Sequence, residues 1–188
     1  MARIIRCVLF LAILALSTGS AMAADTISPE SLYPLAVGNS WKFTGNLLGQ
    51  SQKMEVTITA KDGRWFLDNA GGSFTFDSKG LRDKKRYLIK SPVKAGETWL
   101  SVVSITSTEH FEITTTGRKV VVKAGTFENC VQVRGRNRID KTHDFITEWT
   151  YAPNVGMVKI DTFILKSDGK YVPQGQLELE SYNIVKKP

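Results

Sequence analysis

Apolar and polar residues alternate with period two along most of this chain. The run "MEVTITA" (Met54 to Ala60) places apolar side chains at every second position and Glu or Thr between them. This alternation is typical of a β-strand with one face buried and one face solvated. Asp62-Gly63 follows after Lys61 and is typical of a tight hairpin turn. Outside the N-terminal segment, no window of helical length has apolar residues at the i, i+3, i+4, i+7 spacing.

About ten such runs follow one another, separated by Gly, Asp and Asn. Besides the first they are "RWFLDNA", "SFTFD", "WLSVVSITS", "HFEITTT", "KVVVKA", "CVQVRGRNRI", "DFITEWTY", "MVKIDTFILK" and "QLELESYNI". We therefore predict an all-β protein, an antiparallel meander that forms a strongly curved sheet or half-open barrel. No linker divides the chain, so we expect residues 24–188 to form a single β-rich domain.

One turn motif occurs twice, as "YPLAVGNSW" from Tyr33 and as "SPVKAGETW" from Ser91. Each copy has a Pro, a Gly four residues later and a Trp three residues after that, which suits a turn that leads into a strand. Gly125 follows Gly96 by 29 residues and Gly156 follows Gly125 by 31, and half of the 58-residue interval from Gly38 to Gly96 is also 29. The pattern permits two interpretations, an internal duplication or the convergence of strand-entry turns on similar residues.

The N-terminal segment has the three parts of a secretory leader. Arg3 and Arg6 precede the apolar run from Cys7 to Leu16, and small residues then end in Ala21-Met22-Ala23. A basic start, a short apolar centre and an A-x-A end predict a signal peptide, residues 1–23, cleaved near Ala23. The apolar run is shorter than the roughly 20 residues that span a bilayer. We expect a bacterial protein that is periplasmic or secreted and does not span the membrane.

Charge and cysteine content narrow the classes of partner. The formal net charge is +7, and removal of the two leader arginines leaves +5. This excess favours anionic partners such as lipid or another envelope component, and because the protein is expected to be exported we predict no nucleic-acid partner. Only Cys130 remains after cleavage, so the mature chain has no intramolecular disulfide.

Four segments resemble a known group of exported proteins. "YPLAVGNSW", "SPVKAGETW", "VKAGTFENCVQV" and "EWTYAPNVGMVKI" are similar to elements of small exported bacterial β-rich proteins of unknown function, the TapB-like group. That group resembles, more distantly, the LolA-type half-barrel carriers of the periplasm. The first resemblance implies an exported β-rich fold, and the second implies lipid carriage.

The catalytic and metal-binding candidates are weak. Cys130 opens a strand after a turn, which is typical of a small buried residue rather than a nucleophile paired with His143. His143 and Asp144 would face opposite sides of a strand, and no pair of ligands has zinc-site spacing. We therefore predict no catalytic residue, no metal site and no cofactor.

The candidate binding residues are basic and aromatic. Arg134, Arg136 and Arg138 recur with period two, so a strand would present three guanidinium groups on one face. Trp149 and Tyr151 share a parity on the following strand and would either fill the core or line an apolar groove. A solvated strand face that guards against aggregation is the alternative interpretation of the arginines.

Three functions remain, in decreasing order of preference. The first is a non-enzymatic binding protein for an amphipathic or anionic ligand such as lipid, held by Arg134, Arg136, Arg138, Trp149 and Tyr151. The second is a protein–protein interaction or scaffold module of the cell envelope, which docks by a sheet edge or by the arginine face. The third is a hydrolase with an unrecognised site.

Overall fold

A computed structural model describes residues 27–104 and 107–185, which form twelve strands and one short helix. The expected leader, residues 1–23, lies outside the described residues. The elements are α1 (Pro29–Leu32), β1 (Ser40–Leu47), β2 (Gln50–Asp62), β3 (Trp65–Asp68), β4 (Ser73–Asp77), β5 (Gly80–Arg82), β6 (Tyr87–Lys90), β7 (Thr98–Ser104), β8 (Ser107–Val122), β9 (Gly125–Arg138), β10 (His143–Ala152), β11 (Gly156–Lys166) and β12 (Tyr171–Asn183).

All twelve strands belong to one antiparallel sheet. Its order is β6-β5-β4-β3-β2-β1-β12-β11-β10-β9-β8-β7. The first strand pairs with both its successor and the last strand, so β6 and β7 become the two edges although they are consecutive in the chain. The sheet curls into a nearly closed barrel, which confirms the predicted all-β meander.

The strand count differs from the sequence prediction in two ways: two of the ten runs form one strand, and β1, β5 and β6 are not among the runs. The runs "HFEITTT" and "KVVVKA" are parts of one strand, β8, in which three register shifts between Ile113 and Val120 accommodate Gly117. A bulge adds an unpaired residue without ending a strand. Gly117 therefore lies within β8 and does not form a turn between two strands. The strands β5 and β6 have three and four residues, too few to show an alternating pattern.

The inner face of the barrel is filled by the hydrophobic core. Trp41 is 1 % exposed, and its indole Nε1 donates a hydrogen bond of 2.6 Å to the backbone oxygen of Val155 across the barrel. Tyr33 stacks on this indole with the ring centroids 5.2 Å apart. The helix α1, which Ser28 caps, contributes the fully buried Leu32. An aromatic pair of this kind adds to the free energy of hydrophobic burial.

The repeated sequence motif folds into the same turn in both copies. Gly38 (φ 94°) and Gly96 (φ 87°) have left-handed backbone, which glycine adopts without steric cost. Their amides donate to the carbonyls of Ile58 and Ile113, at 2.9 and 2.8 Å, and each isoleucine amide donates back to the residue after the glycine at 2.9 Å. One copy leads into β1 and the other into β7. Gly125 and Gly156 instead stand at the first positions of β9 and β11.

Side chains rather than a backbone ladder connect the two edges of the sheet. We call the gap between β6 and β7 the seam. The indole of Trp99 donates to the carbonyl of Tyr87 at 3.0 Å. The guanidinium of Arg86 contacts both carboxylate oxygens of Glu109, at 2.7 and 2.6 Å, and the Asn137 amide donates to the same carboxylate at 2.7 Å.

We expect the loss of Glu109 to destabilise the fold. In Glu109→Ala the Arg86 charge, whose side chain is only 30 % exposed, loses its main partner. The free energy of unfolding should fall by about 2 kcal/mol, below the cost for a fully buried pair because Arg86 keeps some solvent contact and its contact with Asp83. Urea denaturation measures the change.

Two variants control this experiment. Glu128→Ala, which breaks the exposed Lys119–Glu128 pair, should cost less than about 0.5 kcal/mol. Arg86→Met/Glu109→Leu removes both charges and should cost less than Glu109→Ala alone. A double variant as unstable as the single one would show that the ion pair is not what the seam depends on.

Candidate ligand-binding groove

An apolar side chain is buried on the outer face of the barrel, beside the predicted arginines. Ile146 on β10 is 0 % exposed, yet it does not belong to the hydrophobic core inside the barrel. Its register partners are Arg136 on β9 and Phe163 on β11, so it faces away from the barrel interior. A buried isoleucine on the outer side of a sheet needs neighbours that cover it, and here they form a groove.

The groove has a volume of about 880 Å³. It combines apolar side chains with charged ones and extends over strands β7 to β12. The lining residues are Thr98, Trp99, Leu100, Thr108, His110, Phe111, Glu112, Arg134, Arg136, Arg138, Asp144, Ile146, Leu165 and Tyr171. This volume lies within the range of small-molecule sites.

The three arginines lie on the outer face because they occupy alternate positions of β9. Across the ladder they register with Glu148, Ile146 and Asp144 of β10. The Arg134 guanidinium donates two hydrogen bonds to one oxygen of Glu148, at 2.9 and 2.6 Å. Burial disfavours this charge, but the hydrogen bonds and the charge of Glu148 raise the pKa of Arg134. Arg134 is therefore held in place by its own partner.

The other two arginines share one carboxylate. Arg136 Nε donates to Asp144 Oδ2 at 2.8 Å, and Arg138 Nε donates to Asp144 Oδ1 at 3.4 Å. The Arg136 and Arg138 side chains are 50 % and 68 % exposed, whereas that of Asp144 is 9 % exposed. Two guanidinium groups on one carboxylate leave one positive charge uncompensated within this trio, and the long Arg138 contact is the easiest to exchange for another anion.

Next to Arg136, Arg138 and Asp144, the groove is lined by apolar and aromatic side chains. Leu165 is half-buried beside Asp144 in the ladder, and Tyr171 is its register partner on β12. Tyr171 is 44 % exposed and Leu100, on β7, 62 %. The Arg134 guanidinium lies 5.8 Å from the Tyr171 ring centroid, which suits a cation–π contact.

The two aromatic residues predicted for the same site face the barrel interior. Trp149 registers with Val133, and its ring stacks on Phe111 at 6.0 Å between centroids. Between them β9 carries Gly135, where an added Cβ would lie 2.8 Å from the Trp149 ring. Tyr151 is 4 % exposed, and burial raises the pKa of its hydroxyl. The structure therefore brings the three arginines together but separates them from Trp149 and Tyr151 by the thickness of the sheet.

The sequence analysis did not assign Ile146, Asp144 and Glu148 to the arginine site, and it considered Asp144 only as a metal ligand. They share the parity of one face in "HDFITEWTY", and two of them are acidic. Once β9 and β10 are known to pair, opposite charges facing the arginine row are the expected cross-strand partners. The sequence does not reveal the register between β9 and β10, and without it these three residues could not be placed beside the arginines.

The groups considered for catalysis do not converge. Cys130 is fully buried near the start of β9, where its Sγ lies 3.6 Å from the carbonyl of Phe127. His143 lies at the first position of β10, and its ring contacts Asp140 at 3.0 Å. Within residues 27–104 and 107–185, no three His, Cys, Asp or Glu side chains form a group suited to a metal ion.

Two solved structures are similar to this chain. One, from Bacteroides fragilis NCTC 9343, is described as an exported protein with a YmcC-like fold; it is 13 % identical, with a TM-score of 0.49, over 81 % of this chain and 99 % of its own. The other, described as a lipoprotein from Parabacteroides distasonis ATCC 8503, is 14 % identical with a TM-score of 0.44, over 81 % and 98 %. No family model and no curated protein matches. The expected likeness to the TapB-like group and to LolA-type carriers stays a prediction.

The described segments contain no helix with the length and apolar content needed to cross a bilayer.

We expect Cys130 to be unreactive in the folded protein. Burial raises the pKa of its thiol to about 11, so little thiolate is present at pH 8 and reagents have no access to it. Iodoacetamide should leave the native chain unmodified and should alkylate it fully in denaturant, as intact mass reports. Rapid alkylation of the native chain at pH 8 would contradict this burial and would make Cys130 a candidate nucleophile again.

Proposed function

We propose that this chain is an exported, non-enzymatic binding protein whose outer groove holds an amphipathic anionic ligand such as a lipid. Export rests on the leader features at the N-terminus. The observation that carries the proposal is the combination of the outward-facing Ile146 with two arginines, Arg136 and Arg138, that share one carboxylate. The barrel interior is a poorer site for such a ligand, since aromatic and aliphatic side chains fill much of it.

The groove suits the two parts of an amphiphile separately. A phosphate or carboxylate headgroup would bind between Arg136 and Arg138, replacing the long contact of Arg138 with Asp144. An acyl chain would lie along Leu165 and Tyr171, above the buried Ile146, covering apolar surface that the fold leaves next to solvent. Arg134 would stay paired with Glu148 and support Tyr171.

The direct test is native mass spectrometry of the purified protein, followed by titration with a single-chain probe. Palmitoyl-lysophosphatidylglycerol, which is anionic, should bind below its micellar concentration and more tightly than the zwitterionic palmitoyl-lysophosphatidylcholine. Arg136→Ala/Arg138→Ala should weaken binding of the anionic probe roughly tenfold or more, because two charge-assisted contacts are lost. Leu165→Ser/Tyr171→Ser should weaken both probes, since it removes apolar surface that both acyl chains use.

A matched variant separates local contacts from overall charge. Lys53→Ala/Lys94→Ala also removes two positive charges, from exposed positions outside the groove lining, and should leave the affinity within about twofold. Equal binding of the anionic probe by the wild type and by Arg136→Ala/Arg138→Ala would refute the assignment of the headgroup site.

A further inference from the structure

Leu48 is neither buried nor in a backbone conformation that suits leucine. Together with Gly49 it forms the two-residue turn between β1 and β2, and both residues have left-handed backbone, with φ of 51° and 80°. Such a turn favours Asn-Gly, because a leucine Cβ crowds the following carbonyl oxygen at positive φ. The Leu48 side chain is 74 % exposed, the highest value of any large apolar side chain that the structure describes. An unfavourable conformation that the fold does not need is typical of a functional position.

Three turns with exposed apolar residues share one end of the barrel. The strands β1, β9 and β11 are parallel to one another, since β12 and β10 lie between them in an antiparallel sheet. The turns that follow them, 48–49, 139–142 and 167–170, are therefore at the same end. Ile139 in the second turn is 56 % exposed, and Tyr171, directly after the third, is 44 % exposed.

The same end carries positive charge that the chain does not neutralise. Lys141 and Lys166 are exposed and, in the part of the chain that the structure describes, belong to no salt bridge. The two acidic residues of these turns have partners within their own turns. Asp140 accepts two backbone amides, at 2.7 and 2.9 Å, and Asp168 accepts the amide and the ammonium group of Lys170, at 3.0 and 3.1 Å. We call Leu48, Ile139, Tyr171, Lys141 and Lys166 the turn surface.

We propose that the turn surface docks on an anionic lipid bilayer. Its three apolar side chains enter the headgroup region, and its two lysines lie against the anionic headgroups. Only the turns make this contact, so the packing inside the barrel stays as it is. The inference goes beyond the proposed function and does not require an occupied groove. The groove extends to the same end, since Arg138 and Tyr171 line it, so a docked chain has its groove beside the bilayer.

The opposite end of the barrel fits an anionic bilayer less well. Val37 and Val121 are exposed there, at 48 % and 69 %. Asp62, the last residue of β2, is exposed at that end too and pairs with no cation among the residues described. An unpaired carboxylate is repelled by anionic headgroups. The opposite end therefore supplies the control positions.

The test is cosedimentation of the purified protein with sucrose-loaded vesicles. Vesicles of equimolar phosphatidylglycerol and phosphatidylcholine should bind it at least about tenfold more tightly than pure phosphatidylcholine vesicles. Raising the salt concentration from about 0.1 M to about 0.5 M should weaken this binding, because the lysine contacts are solvent-exposed. Lys141→Ala/Lys166→Ala should weaken it roughly tenfold. Lys94→Ala/Lys123→Ala, which removes two exposed lysines at the opposite end, should change the affinity by less than about twofold.

Leu48→Asn/Ile139→Ser separates insertion from folding. Asparagine accepts left-handed backbone, so the replacement of Leu48 should not lower the melting temperature. Vesicle binding should nevertheless weaken roughly tenfold, because two apolar side chains no longer enter the bilayer. Val37→Ser/Val121→Ser, the matched control, should bind vesicles as the wild type does. Circular dichroism checks that each variant is folded.

The same variant distinguishes this surface from the groove. Neither Leu48 nor Ile139 lines the groove, so Leu48→Asn/Ile139→Ser should bind monomeric palmitoyl-lysophosphatidylglycerol as the wild type does. A groove that binds no lysolipid would refute the proposed function and leave vesicle docking to be decided by its own titration.

A dye at a single position shows which end makes contact. Cys130 is fully buried, so the environment-sensitive dye NBD can be attached selectively in Leu48→Cys. Its emission should shift to the blue when anionic vesicles are added, whereas NBD in Val121→Cys should not respond.

Three results would overturn the docking surface. The first is the absence of binding to anionic vesicles at millimolar lipid. The second is equal vesicle affinity of the wild type and Leu48→Asn/Ile139→Ser. The third is a blue shift in Val121→Cys without one in Leu48→Cys, since it would show that the opposite end faces the bilayer.

Discussion

The pairing of β1 with β12 is the constraint on which the other features of this structure depend. It joins the first and last strands of a meander and moves the free edges to the middle of the chain, where β6 is followed by β7. A curled sheet must then bring these two edges towards each other. Because no ladder forms between them, the Trp99 indole and the Arg86–Glu109 ion pair hold the seam.

Because the sheet closes, its inner face is packed and apolar and its outer face is exposed to solvent. The inner face packs its aromatic side chains against one another, as in the stacked row of Trp99, Phe111 and Trp149 that Gly135 makes possible. The outer face does not pack against the core. Charged side chains on β9 and β10 therefore lie there and form cross-strand ion pairs. Ile146 departs from that pattern, since it is an apolar side chain buried among charged ones.

The groove reaches the edge strand β7, since Thr98 and Leu100 line it. Its apolar side chains are flanked by basic residues, and it lies outside the barrel. The proposed site is therefore on the exterior of a well-packed scaffold, an arrangement in which the core stabilises the fold independently of any ligand.

By itself, the sequence determined the class of the fold and the content of its local elements. Period-two alternation predicts strands, and the two Pro-Gly-Trp segments predict a turn that the structure forms with a left-handed glycine at both Gly38 and Gly96, because strand pattern and turn type depend mainly on residues close together in the chain. The common face of Arg134, Arg136 and Arg138 follows for the same reason.

Only the tertiary structure decided which strands are neighbours and which face is inside. The sequence could not place β12 beside β1, reveal that Arg136 and Arg138 share Asp144, or separate Trp149 from the arginines. Each of these depends on the register between strands that are distant in sequence, and register is fixed by the packing of the whole barrel rather than by any one strand.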